Sequence, residues 1–235
     1  MKKILKKIIN NISNKIHIKN IILFESIPDY SDNTKKVFDE FINRKINRQY
    51  TLVWVCNNKS SVDELKKVFK GINNTDVVFL KSFLYKFYYQ KCAKAFISCN
   101  QLLEKSKPEQ YYCDLAHGCA FKNCVGSYSL PYGCEDADVM TVSNFMAKYD
   151  AINLSCNVNC MRNLGYARND DLLSGNIDVS KIFNGSFSKV IYWLPTYRQH
   201  KWSTEVHSNI SMPIIHDSKI EENLNEFCRN KNVLI

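Results

Sequence analysis

Four short segments carry the side chains best suited to chemistry. They are Phe24-Glu25-Ser26 followed by Ser31-Asp32-Asn33, Ala116-His117-Gly118 followed by Lys122, Gly165 through Asp170, and Pro195-Thr196-Tyr197-Arg198. His117 is the candidate general base, because an imidazole changes protonation near neutral pH and can take a proton from an alcohol. Gly118 lets a backbone approach a ligand closely. Lys122 and Arg198 are suited to neutralising phosphate oxygens, the guanidinium in bidentate fashion. Thr196 offers a hydroxyl and an N–H at a turn, while Arg168 and Asp170 are expected to pair with each other and shape the turn after Gly165. Each segment also has a plainer reading. A lone histidine after a strand is more often structural, Pro-Thr-x-Arg is more often only a turn, and Arg-Asn-Asp usually starts a helix.

Position decides between those readings, so the elements around the segments come next. Apolar runs at Ile21–Phe24, Thr51–Cys56, Val77–Leu80, Ala95–Ser98, Tyr111–Leu115, Val139–Val142 and Val190–Leu194 read as strands. Helical patterns alternate with them at Asp32–Ile42, capped by Ser31 or Asp32, and at Ser60–Phe69, opened by Ser60-Ser61 with Glu64 in a capping box. Further helices are expected over Phe83–Cys92, Ser143–Ile152 and Glu221–Phe227, and Val233-Leu234-Ile235 reads as a beginning strand. The alternation predicts an α/β fold, a Rossmann-like parallel sheet covered on both faces. In such sheets ligands bind beyond the carboxyl ends of the strands, where Ser26, His117 and Thr196-Tyr197-Arg198 would gather along one rim. No GxGxxG and no Walker A sequence occurs, and the chain has only seven glycines, which argues against a dinucleotide enzyme or a P-loop NTPase.

The 235 residues, 45% hydrophobic and 12% aromatic, suffice for a core. A formal net charge of +9 fits an anionic partner, or equally a lysine-rich chain kept soluble by its charge. Ten cysteines lack a CxxC pair, so they read as small buried hydrophobes and not as a zinc site. No apolar run reaches the roughly 18 residues of a membrane span. Residues 1–17 instead form a basic amphipathic pattern, with Ile4, Ile8, Ile12 and Ile16 on one stripe. That helix either lies on an anionic membrane surface or packs on the domain with its lysines solvated. No recognition motif for nucleic acid is present. Residues 18–170 are expected to form one lobe and 171–235 a linker, best placed at Asn169–Ser188, with the beginning of a second. The ending on a starting strand suggests that the natural protein continues.

The order of the four segments resembles the CDP-glycerol glycerophosphotransferase family, whose members prime and polymerise teichoic-acid backbones. That family carries a Phe-x-Ser turn with a Ser-Asp-Asn helix start, a Trp-His-Gly-Thr-Pro-Leu-Lys motif, Gly-x-Pro-Arg-Asn-Asp and Pro-Thr-Trp/Tyr-Arg. Here the histidine motif keeps His117, Gly118 and Lys122 but has Ala116, Cys119 and Ala120 at three positions, and Ala167 replaces the proline before Arg168. The resemblance implies a GT-B-like architecture with an N-terminal acceptor lobe and a C-terminal donor lobe, and it adds Ser26, Asp32 and Asn33 to the candidate substrate-binding set. It implies transfer of a polyol phosphate from a CDP-polyol donor to a hydroxyl of a lipid-linked anionic acceptor, with release of CMP, no cofactor and no metal. It also implies a cytoplasmic enzyme peripheral to the inner face of the plasma membrane. The family's second functional histidine, in Lys-x-His-Pro, would fall just past Ile235. The departures leave two rivals open: a GT-B glycosyltransferase using a nucleotide sugar, or an inactive remnant that binds anionic surfaces.

Overall fold

Runs of β-branched and aromatic residues form strands β1 (Ile21–Glu25), β2 (Thr51–Cys56), β3 (Thr75–Phe79), β4 (Ala95–Ser98), β5 (Tyr111–Asp114), β6 (Asp138–Thr141) and β7 (Met161–Asn163). A computed structural model describes residues 15–118, 129–175, 187–192 and 218–235. The expected helix over residues 1–17 therefore lies almost wholly outside the described residues, as do Lys122, Thr196 and Arg198.

All seven strands pair in parallel in the order β3-β2-β1-β4-β5-β6-β7. The direction of winding reverses between β1 and β4, which is the topological switch point of a Rossmann-like sheet. Alternate residues of each strand enter different cores, as a period of two requires. Leu23, Val53, Val55 and Phe96 face a core completed by Tyr85, Tyr89 and Tyr112. Ile22, Phe24, Leu52 and Trp54 face the other, beneath Phe38, Leu65 and Phe69. This second core is an aromatic stack, with Phe24 edge-on to Phe38 at 5.0 Å and Phe38 stacked on Phe69 at 4.9 Å.

Helix α1 (Asp32–Asn43) delivers Phe38 to that stack, and α2 (Lys59–Val68) delivers Leu65. A π-helical turn (Tyr85–Tyr89) running into α3 (Gln90–Cys92) covers the opposite face with Tyr85, Tyr89 and Cys92. Helix α4 (Asn144–Asn153) starts as expected at Ser143, whose hydroxyl accepts the Met146 N–H. A 3-10 turn (Ala167–Asn169) and α5 (Asp170–Ser174) follow β7.

Several boundaries differ from the sequence expectation for identifiable reasons. Helix α2 is capped by Asn58, not Ser60 or Ser61. The Asp29 carboxylate accepts the N–H groups of Asn57 and Asn58, which fixes the chain where it leaves β2 and starts the helix early. Ser31 stands at the N-cap of α1 but makes no capping hydrogen bond; its hydroxyl donates to the Pro28 carbonyl. Strand β7 was not expected. Arg162 and Asn163 are exposed, so this edge strand has no apolar signature. Residues 169–174, expected in a linker, are helical.

The chain divides into two compact units, 1–175 and 176–235. In the second, β8 (Lys189–Val190) and β9 (Val233–Leu234) pair in parallel, with α6 (Ser218–Lys231) leading into β9. The described cysteines are free. Burial pushes the thiols of Cys56, Cys99 and Cys113 up to about 12, so they behave as small apolar side chains. Among the described residues no helix is long and apolar enough to cross a membrane.

Candidate active site at the carboxyl rim of the sheet

Beyond β1 and β4, at the switch point of the sheet, the two connections are tied to each other. The Asn100 side chain, just past β4, accepts the Ile27 N–H at 2.7 Å. The open chemistry lies one strand further along, where β5 ends and the chain turns through Leu115 and Ala116 to His117.

Ala116 adopts a left-handed conformation, φ 49°. A residue with a Cβ pays for that shape, and the neighbourhood holds it there. Its N–H donates to Asp114 Oδ1 at 2.8 Å, and its carbonyl accepts Asn33 Nδ2 at 2.8 Å. The turn projects His117 outward, with 59% of its side chain exposed, and sets Nδ1 3.5 Å from Asp32 Oδ2. Gly118 is exposed, and a Cβ placed on it would meet nothing within 4 Å.

Asp32 is the hub. Its Oδ1 accepts Arg168 Nη1 at 2.7 Å and the Asn33 N–H at 2.8 Å, while Oδ2 faces His117. Burial alone would raise its pKa. The hydrogen bonds from His117, Arg168 and Asn33, with the guanidinium charge, outweigh burial and hold the carboxyl below its usual range. The imidazole responds in kind. Its hydrogen bond to Asp32 raises the His117 pKa, with the Asp32 and Asp114 charges adding to the effect and burial and Arg168 opposing it.

Asn33 locks the backbone around this hub. It is buried, reaches both the Ala116 and Leu115 carbonyls with Nδ2, and accepts the Arg168 N–H on Oδ1 at 3.0 Å. Two residues of one helix start thus join segments more than eighty residues away. Ser26 is fully buried, and its hydroxyl is occupied within its own loop, accepting the Ser31 N–H and donating to the Pro28 carbonyl. Arg168 pairs with Asp32 and not with Asp170, the expected partner. Asp170 opens α5 at the surface. The aspartate at the α1 start is closer to the guanidinium fork because Asn33 anchors the Arg168 backbone beside it. Lys122, Thr196 and Arg198 lie outside the described residues.

Residues given no role of their own in the sequence reading form the floor. Glu25, Ser98 and Asp114 are register partners at the ends of β1, β4 and β5, and all are fully buried. Ser98 donates to Glu25, and Gln101 Nε2 donates to Asp114 Oδ2 at 2.6 Å. Burial pushes the Glu25 carboxyl up to about 7, against the hydrogen bond from Ser98. The amides of Leu102 and Asn100 offset part of that burial without closing a hydrogen bond on Oε1. Burial likewise pushes Asp114 up to about 6, against Gln101 and the Ala116 N–H. The signal that could have found them is a carboxylate closing an apolar strand, as in Ile-Ile-Leu-Phe-Glu. Among the described residues no group of three or more His, Cys, Asp or Glu side chains is arranged to hold a metal ion.

The profile of the family described as CDP-Glycerol:Poly(glycerophosphate) glycerophosphotransferase matches residues 9–229. No curated protein sequence matches the chain. Among solved structures, a histidine variant of the wall teichoic acid polymerase TagF is 17% identical with a TM-score of 0.64, covering 98% of this chain and 62% of that one. A second histidine variant of TagF, soaked with CDPG, is 18% identical with a TM-score of 0.58, covering 80% of this chain and 54% of that one. TagF itself gives 18% identity and a TM-score of 0.56, covering 79% and 52%. The chain thus spans a little over half the length of these polymerase structures, and the likeness supports the α/β, Rossmann-like fold expected from the sequence.

Proposed function

Because the chain belongs to the CDP-glycerol:poly(glycerophosphate) glycerophosphotransferase family, we propose that it provides the acceptor-activating lobe of an enzyme that moves glycerol phosphate, or a related polyol phosphate, from a CDP-polyol onto a hydroxyl of a lipid-linked anionic acceptor. The observation that carries this reading is the exposed His117 at the rim of the sheet, with Nδ1 directed at a buried-side carboxylate of Asp32. Asp32 orients the ring and favours the proton on Nδ1, which leaves Nε2 to accept a proton from a bound alcohol. The acceptor oxygen then attacks the β-phosphorus, its proton passes to Nε2, the bond to the bridging oxygen breaks, and CMP leaves.

Positioning and electrostatics carry most of phosphoryl transfer. Arg168, one face of whose guanidinium rests 5.6 Å from the Tyr166 ring, is the described cation nearest to this chemistry. Gly118 leaves open space for a substrate oxygen to approach the backbone. Lys122, Thr196 and Arg198 are the candidates for phosphate contact, and Asp170 belongs to the candidate substrate-binding set. The CDPG-soaked structure of TagF supports a CDP-activated donor. On this reading the donor is a substrate, no resident cofactor or metal is needed, and the enzyme works peripherally at the inner face of the plasma membrane. Liposome binding by a variant lacking residues 1–15 tests that last placement; undiminished binding argues against a membrane role for the segment.

The experiment for the chemistry is His117→Ala in the full-length protein, assayed for CMP release from CDP-glycerol. The expected loss is about 100- to 10,000-fold, the usual contribution of a positioned base. Unchanged turnover would defeat the proposal. A parallel screen with CDP-ribitol and UDP-sugars separates it from a nucleotide-sugar glycosyltransferase, which would release UDP.

A further inference from the structure

We propose that Asp114 is a positioning residue for His117: its buried carboxylate holds Ala116 in the left-handed conformation that aims the imidazole at Asp32. The inference rests on the reading of His117 as the base and extends it to a side chain that touches no substrate.

The geometry leaves the carboxylate few other roles. Asp114 is fully buried at the end of β5, and its two oxygens are divided between two donors. Oδ1 takes the Ala116 N–H at 2.8 Å and Oδ2 takes Gln101 Nε2 at 2.6 Å. A carboxylate bonded to the N–H two residues ahead forms a local turn that competes with extension of the strand. Here it stops β5 and reverses the chain at Ala116, φ 49°.

Gln101 is itself held. It too is left-handed, φ 55°, and its N–H donates to Ser98 Oγ at 3.0 Å. Ser98 in turn donates to Glu25. A continuous chain of hydrogen bonds therefore runs under the rim from β1 through β4 to β5 and ends at the residue before His117. The opposite side of the same turn is gripped by Asn33 and by the Cys99 thiol, both donating to the Ala116 carbonyl, at 2.8 and 3.4 Å. Asn33 fixes where the carbonyl lies. Asp114 fixes the peptide's other end, and the two together determine the direction in which His117 leaves the sheet.

The test uses the full-length protein and variants at Asp114, Gln101 and Ala116, with His117→Ala as the control. Asp114→Leu keeps the side chain's shape and removes both acceptors. It is expected to lower kcat about 5- to 30-fold, the population change when one residue's left-handed conformation loses its support, with KM for CDP-glycerol within about twofold. Asp114→Asn retains an acceptor for the Ala116 N–H and is expected to keep most of the turnover. Ala116→Gly removes the cost of the left-handed shape, so adding it to Asp114→Leu is expected to restore much of the loss. If Asp114→Leu does not fold, Gln101→Leu unties the carboxylate from the other side, and the same loss of kcat, relieved by Ala116→Gly, is expected. Full turnover in the Leu variant that folds, or a loss that glycine does not relieve, overturns the inference. The His117→Ala control separates the two claims. An inactive control with fully active Asp114 and Gln101 variants removes only the positioning role, whereas an active control removes the base itself.

Discussion

Two aspartates three residues apart in the β1–α1 connection do opposite things. Asp29 turns towards β2 and accepts only amide donors, the backbone N–H groups of Asn57 and Asn58 and the Asn57 side-chain amide at 3.4 Å. Asp32 turns towards β5 and, besides the neighbouring Asn33 N–H, meets two side chains, His117 and Arg168. Both carboxylates stitch neighbouring strand ends along the same rim. The first closes a gap with neutral amides and brings no ionisable partner. The second is neutralised only by groups that can themselves move protons or bind anions, and it leaves an imidazole more than half exposed. The type of residue and its place in the fold are shared, so what separates the two is whether the carboxylate's partners are neutral amides or include ionisable side chains.

Exchanging the two carboxylates for neutral groups should break that contrast most sharply. Asp32→Asn is expected to lower turnover by up to about 100-fold, the lower end of what a positioned base supplies, with the melting temperature little changed. Asp29→Ala should do the reverse. Loss of a cap to two amides costs about 1–2 kcal/mol, read by thermal or urea unfolding, while turnover per folded molecule stays the same. If Asp29→Ala abolished turnover without loss of stability, the division between the two sides would be wrong.

A finer effect appears in pH dependence. On the proposed reading the base works when neutral, and the hydrogen bond to Asp32 raises the His117 pKa, so the acid limb of kcat/KM should lie above pH 6.5 in the wild type and move to lower pH in Asp32→Asn. The stability contribution has the matching sign: the imidazolium–carboxylate contact is fully present below the unfolded histidine pKa and is lost as pH rises through the folded one. The exposure of the ring keeps that contribution small.

The smallest effect concerns the floor. Glu25 ionises at about 7 in the folded chain but at the ordinary 4.5 when unfolded, so its burial destabilises the fold progressively as pH rises through that window. Glu25→Gln should flatten the dependence and raise the melting temperature at pH 8 by a few degrees, with no gain at pH 4. An equal gain at both pH values would mean that charge burial is not the cause.

Much of the sheet was legible because the central strands bury both faces and so read as continuous apolar runs, Ile-Ile-Leu-Phe and Leu-Val-Trp-Val among them. Strand β7 was not legible, since an exposed edge needs no apolar residues. His117 and Asp32 stood out because their residue types and order fit a family pattern. Their mutual geometry did not, nor did the partner of Arg168, which lies 136 residues away in sequence from Asp32. Nothing in Arg168-Asn169-Asp170 distinguishes a local pair from a distant one. Glu25 and Asp114 were passed over because a carboxylate at a strand end ordinarily meets solvent, and only the tertiary arrangement shows that these do not.

The strand order also sets a timetable for synthesis. β1 is an interior strand, third of seven, yet the neighbour on its far side, β4, reaches Ser98 only 73 residues after Glu25. At translation speeds of about 5–20 residues per second, that flank of the nascent chain waits about 4–15 s with its ladder groups open. The first strand of the sheet to be made is thus the one whose second flank stays open longest.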